Sequence, residues 1–291
     1  MLLPLLLTAS TLLHGREPLS FNELSALPPP QPGIQIPYGD DPLQFGELRL
    51  PSTDGPFPVV LLIHGGCWYA EYDVAHVRPL AAAIAELGYA TWTLEYRRIG
   101  NSGGAWPGTL LDIADGVDHL RQLARDYPLD LSKVIAMGHS AGGQLALWLA
   151  ARQRIASDSE LYRAAPLAIQ GVIGLAAAAD LNRLAAGGEC GDAAKKFLDG
   201  GPLDWPQRYQ QASPHHLAPL GVPQILIDGA ADKTWSPIAE SYYQAAVKAG
   251  DEIRRIVVDD AGHFDLVAPQ PPVWPHLRNA LDNLLSAAGD D

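Results

Sequence analysis

Cysteine is almost missing. The 291 residues hold only Cys67 and Cys190, too few for a disulfide-built scaffold and not spaced as zinc ligands, so at most one bridge can form. Basic charge is short too: 20 Lys and Arg face 33 Asp and Glu, a formal charge of −13. With no run of Lys or Arg, the chain lacks the clustered positive charge that nucleic acid or an anionic membrane needs. Long apolar runs are also absent. None reaches the roughly eighteen residues that span a bilayer, which excludes stable membrane insertion by a helix. What is present, 47% apolar and 18% charged residues, is the mix of a chain that folds around a core. The partner this composition suits is a small molecule.

The sequence divides into residues 1–40 and 41–291. Leu2 to Leu13 is mostly apolar and carries the small residues Thr8, Ala9 and Ser10. That reads as the core of a secretory signal, although no Lys or Arg precedes it and Pro4 interrupts it. Export, to a periplasm or the extracellular space, is the reading slightly favoured. The alternative is a cytoplasmic protein with a poorly ordered leader, followed in either case by an extended Pro-rich linker at Pro28, Pro29, Pro30, Gln31 and Pro32.

From Phe45 onward short aliphatic runs alternate with longer helical patterns, which predicts an α/β protein with a mainly parallel sheet. Strands are expected at Phe45 to Leu50, Val59 to Ile63, Ala90 to Glu95, Val134 to Met137, Val172 to Leu175, Ile225 to Ile227 and Ile253 to Val258. Most are continuous apolar runs, as in strands covered on both faces. Helices are expected at Val77 to Leu87, Thr109 to Asp126, Gly142 to Arg152, Ile238 to Ala249 and Val273 to Leu285. Residues 176–219, rich in glycine among short apolar pieces, read as a lid-like insertion.

The sharpest local signal is Gly138-His139-Ser140-Ala141-Gly142, placed between a strand and a helix. A nucleophile on a strained strand-to-helix turn needs small flanking residues, which fits Ser140 for that role. A serine hydroxyl needs a base and an acid to orient that base. His263, on the loop between the last strand and the last helix, and Asp232, on the loop after Ile225 to Ile227, both fall at the carboxyl edge of the sheet, as Ser140 does. Asp228, Asp259 and Asp260 are rivals for the acid. For the base, His119, His215, His216 and His276 lie on helices or in the insertion, where histidines serve packing or surface.

An oxyanion needs backbone N–H donors, and His64-Gly65-Gly66-Cys67-Trp68, directly after Val59 to Ile63, is a turn able to supply them. The N–H groups of Gly66, Cys67 and Ala141 are the expected donors, with His64 orienting the turn by its ring. Trp68 and Trp106 are candidate substrate-binding walls, although Trp68 and Tyr69 could equally pack under the loop. Asp112, Asp115 and Asp118 recur every three residues, which reads as a solvated helix face and not as a metal site. Cys67 and Cys190 would bridge in an exported protein and stay as two buried thiols in a cytosolic one.

In order along the chain, H-G-G-C-W, L-E-Y-R-R at Leu94 to Arg98, G-H-S-A-G-G, the Asp232 loop and A-G-H-F resemble the esterase, kynurenine formamidase and prolyl-oligopeptidase-like branch of the α/β-hydrolases, over about Phe45 to Leu285. The order Ser140, Asp232, His263 is that of the family's triad. The resemblance implies an α/β-hydrolase fold with a mostly parallel eight-stranded sheet flanked by helices. It further implies hydrolysis of ester or amide bonds through an acyl-enzyme, without metal or organic cofactor. Two departures stand out: no β-propeller-sized N-terminal region, and Cys67 where a third glycine is usual. A small carboxylic ester is the expected substrate, an amide or N-formyl amide the alternative. A hydrolase-fold protein that only binds is the reading from another class.

Overall fold

A computed structural model describes residues 16–188 and 190–287, so Leu2 to Leu13 lies outside the described residues. Eight strands form one sheet: β1 (Ile34–Pro37), β2 (Phe45–Arg49), β3 (Phe57–Ile63), β4 (Ala90–Leu94), β5 (Leu129–His139), β6 (Gly171–Leu175), β7 (Gln224–Gly229) and β8 (Ile253–Val258). Their order is β1-β2-β4-β3-β5-β6-β7-β8. β1 and β2 pair antiparallel, β2 and β4 antiparallel, and the rest are parallel. β4, β6 and β7 are buried along their whole length, which is why they read as unbroken apolar runs.

Strand order reverses around β3: β4 lies on one side of it and β5 on the other. At such a switch point the loops leaving the carboxyl ends diverge and open a crevice. Here those loops are the ones that begin at His64, after β3, and at Ser140, after β5. The helix Ala141–Ala151 is buried almost all round, as expected of a helix with no polar face. The helical run expected from Thr109 to Asp126 is two helices, Gly108–Asp118 and Leu120–Asp126, meeting at His119.

Three placements differ from the sequence reading. β1 escaped it because the alternation Ile34-Gln35-Ile36 is only three residues long, ends on proline and closely follows the Pro-rich run, as suits an edge strand exposed along most of its length. The sheet therefore begins before residue 41. Asp112 is fully buried, paired with Arg97 and hydrogen-bonded by Gln44; its helix packs that residue inward, and only part of the acidic row faces water. Finally, residues 16–27 are not merely leader. They form a strap with a short helix, Phe21–Ser25, started by a reciprocal cap between Ser20 and Glu23 and anchored by the buried Leu24.

The insertion 176–219 is likewise fixed in place. Gln144 donates to the Ala212 carbonyl at 2.8 Å and Trp148 to that of Gln211 at 2.9 Å. Cys190 is disulfide-bonded to Cys67, Cα to Cα 5.7 Å, across 123 residues of chain, a loop long enough for the bridge to restrict the unfolded state strongly. No metal-binding group of three or more His, Cys, Asp or Glu occurs among the described residues.

Candidate active site

Ser140 sits at the tip of the turn from β5 into the helix Ala141–Ala151 with φ 55° and ψ −119°. A non-glycine residue in that region costs about 1–3 kcal/mol and persists only when its surroundings enforce it. Here they do. A Cβ on Gly142 would lie 2.2 Å from the Ile63 carbonyl oxygen and 2.4 Å from that of His64, so only glycine lets the nucleophile turn press against the end of β3.

His263 and Asp232, on separate loops, meet. His263 Nδ1–H donates to Asp232 Oδ2 at 2.7 Å, while Asp232 Oδ1 accepts the Trp235 N–H at 3.0 Å. Both carboxylate oxygens are used, and in the neutral imidazole a proton on Nδ1 leaves Nε2 free to accept. The ring is held further by Trp235, stacked at 5.1 Å, and by His139 at 4.4 Å. Asp228 is engaged elsewhere, 2.7 Å from Arg255, and Asp259 and Asp260 are exposed. Geometry thus singles out Asp232 among the four carboxylates.

Ser140 and His263 line one cavity of about 160 Å³ together with Gly66 and Cys67. The structure draws no hydrogen bond between the Ser140 hydroxyl and His263. In ligand-free hydrolases that bond is often long and tightens with substrate. Gly66, Cys67 and Trp68 all have positive φ, +109°, +51° and +58°, and the N–H groups of Gly66, Cys67 and Ala141 donate to no backbone carbonyl among the described residues. Unpaired N–H groups beside a nucleophile are what a developing oxyanion requires.

The oxyanion turn is held from beneath. His64 Nδ1–H donates to the Gly65 carbonyl at 2.8 Å, its ring stacks on Tyr96 at 4.4 Å, and Nε2 lies 3.2 Å from Glu95 Oε1. Glu95 also pairs with Arg98 and accepts the Val74 and Tyr96 N–H groups. Burial alone would raise the Glu95 carboxyl, but His64, Arg98 and the Tyr96 N–H pull it down to about 2. Arg98 is only 2% exposed, so Glu95→Ala should destabilise the fold by about 3–5 kcal/mol, the cost of stranding a buried charge. Denaturant unfolding measures it; a loss under about 1 kcal/mol would mean Arg98 finds another partner.

Trp68 is wholly buried, stacked on Phe197 at 4.8 Å and donating to Gln144 Oε1 at 3.1 Å. Trp106 donates to Glu160 at 2.7 Å. Neither lines the cavity, and no described residue of 176–219 lines it except through the disulfide's partner, Cys67. Trp68 instead ties the oxyanion turn to the nucleophile helix, because an indole N–H one residue past the turn finds a buried amide. The aromatic walls are Phe21, Tyr72, His76, His139, Trp235 and Phe264. Of these, Phe21 had a usable signal: Ser20-Phe21-Asn22-Glu23 is the sequence of a capping box. His139 directly precedes Ser140 and Trp235 lies three residues past Asp232, whereas Tyr72 and His76 carry no pattern that marks them. His119, His215, His216 and His276 lie away from the cavity.

Two of these rings are held neutral. Burial, then the neighbouring His64, push His76 down to about 3; burial, then His263, push His139 well below the usual imidazole range. His139 Nε2–H donates to the His263 carbonyl at 3.0 Å. Unfolding returns both to about 6.5, so below that pH the unfolded chain binds more protons and stability falls with pH until the folded pKa is reached. Asp228, raised to about 6 by burial, acts with opposite sign between about 6 and its ordinary 3.8. Between pH 7 and pH 5 His76 alone should cost about 2 kcal/mol. A smaller fall in Tm over that interval for His76→Phe than for wild type is the expected result; an equal fall contradicts it.

The reversed strand order, the serine elbow and the His–Asp pair at the sheet's carboxyl edge define an α/β-hydrolase. Within that class the chain belongs to the BD-FAE family, whose model matches residues 47–245. Among curated proteins it is 29% identical, over 126 residues, to a probable isoprenylcysteine alpha-carbonyl methylesterase of Arabidopsis thaliana, a match covering 43% of this chain and 26% of that protein. The chain spans about a quarter of the length of the curated relatives it matches. Among solved structures it superposes on esterase B of Lactobacillus rhamnosis with a TM-score of 0.76 at 21% identity, covering 87% of this chain and 84% of that one. A thermophilic esterase of Thermogutta terrifontis gives 0.73 at 20% identity, covering 92% and 97%.

Proposed function

We propose that the protein is a serine hydrolase that cleaves small carboxylic esters. Ser140 attacks the carbonyl, His263 Nε2 takes the hydroxyl proton and returns it to the leaving alcohol, and Asp232 holds the imidazole and stabilises the imidazolium. The N–H groups of Gly66, Cys67 and Ala141 receive the oxyanion, and water attacks the acyl-enzyme by the same route in reverse. The observation that carries this is the 2.7 Å His263–Asp232 bond at the cavity that also holds Ser140. Family membership and the esterases it resembles support the ester as the bond cleaved.

The test compares kcat/KM for p-nitrophenyl acetate with that for an N-formyl aryl amine. Faster ester turnover supports the reading; amide turnover alone would move the protein to the formamidase type. The bridge between Cys67 and Cys190 supports an exported protein, because such bonds persist in oxidising compartments and not in cytosol. Cell fractionation with thiol alkylation tests that: a reduced pair in a cytosolic fraction overturns it.

A further inference from the structure

The strap 16–27 is fastened to the loop that carries His263. Asp265, buried and two residues beyond the base, accepts the Leu19 N–H at 3.1 Å and the Gly262 N–H at 2.8 Å on one oxygen, and its other oxygen lies 2.9 Å from Arg16. One carboxylate therefore fixes the strap and the base loop to each other. The reciprocal Ser20–Glu23 cap then starts the helix whose first residue is Phe21. Its ring meets Tyr72 edge-on at 5.3 Å, Phe264 at 5.4 Å and His76 at 6.1 Å.

Two cavities share that ring. One is the cavity of about 160 Å³ with Ser140 and His263; the other is a groove of about 330 Å³ between the strap and residues 71–79. Phe21, Tyr72 and His76 line both. Tyr72 also backs the oxyanion turn, since a Cβ on Gly66 would lie 2.3 Å from its Cβ, and His76 is packed against His64. Phe21 is the member of this partition that comes from outside the catalytic loops.

We propose that Phe21 is the size-selecting residue of the active site, restricting it to esters whose enclosed acyl or alkoxy group is no larger than about one six-membered ring. An apolar cavity of about 150 Å³ accommodates benzene, which sets that scale. Removing the ring joins the cavity to the groove along the strap. The inference rests on the serine-esterase reading above and adds the substrate size to it.

Two ester series test it, one lengthened on the acyl side, p-nitrophenyl acetate to octanoate, and one on the alcohol side, methyl to 1-naphthyl butyrate. Each is run on wild type, Phe21→Ala, Phe21→Leu and Phe21→Trp, with Ser140→Ala as the blank. A pocket contact of one methylene is worth about tenfold or more in discrimination. Phe21→Ala should therefore raise the large-to-small ratio of kcat/KM about tenfold in at least one series, Phe21→Leu less, and Phe21→Trp should lower it. Phe21→Leu keeps an apolar anchor for the strap, so its ratio stays informative if the alanine variant loosens the fold. Ser140-dependent turnover with both ratios within threefold of wild type in every variant overturns the size-selecting role alone. Absence of any Ser140-dependent turnover in wild type overturns the esterase reading and this inference with it.

Discussion

Ser140→Ala should lower kcat/KM for a short p-nitrophenyl ester by about 10⁴-fold or more, and His263→Ala by a similar factor. The two act as one unit, since a hydroxyl without its base is a poor nucleophile and a base without the hydroxyl has nothing to activate. Ser140→Ala combined with His263→Ala should therefore be little worse than either change alone. Turnover left over would come from the N–H groups of Gly66, Cys67 and Ala141, which neither change removes. Steady-state kinetics on the three variants measure this; losses that multiply would show that serine and histidine work in separate steps.

Asp232→Asn should cost about 10⁴-fold in kcat while leaving the fold intact. Asp232 Oδ1 accepts the Trp235 N–H and Oδ2 accepts His263 Nδ1–H. Asparagine can keep the first bond, but its amide would donate where the carboxylate accepted. The imidazole then carries its proton on Nε2, where it cannot take one from Ser140. Kinetics beside a melting curve check it: a loss under tenfold with an unchanged Tm would take the orienting role away from Asp232.

The residues that geometry gathers at the cavity were legible in sequence where chemistry constrains the backbone. Ser140 showed because the tight approach to β3 demands Gly142. Asp232 showed because it follows the fully buried β7, and His263 because it follows β8, whose apolar end Ile256 to Val258 marks a strand although only Val258 is buried; loops after parallel strands share one edge of the sheet. Trp68 and Trp106 were misplaced because an aromatic residue beside a glycine turn can face the cavity or the core. The buried Gln144 amide holds Trp68 in the core, and Glu160 holds Trp106 away from the cavity.

Beyond its capping box, the strap was illegible for another reason. Next to a proline run, its single short helix has one buried anchor, Leu24, and its attachment to Asp265 spans 246 residues, a separation no local pattern can reveal. The disulfide depends on compartment as well as on distance. The histidines lining the cavity were invisible as a group because His76 lies in the helical turn Val74–Val77 beyond β3 and His139 is the last residue of β5, brought together by the β3–β5 reversal. Periodicity identified the elements; it could not say which loop faces supply the walls.

That Ser140 is the nucleophile is tested most directly by intact mass after reaction with a fluorophosphonate probe, on wild type and Ser140→Ala in parallel. The expected result is one adduct on wild type, located by peptide mapping to Ser140, and none on the variant. Equal labelling of both proteins, or an adduct mapped to another residue, would contradict it.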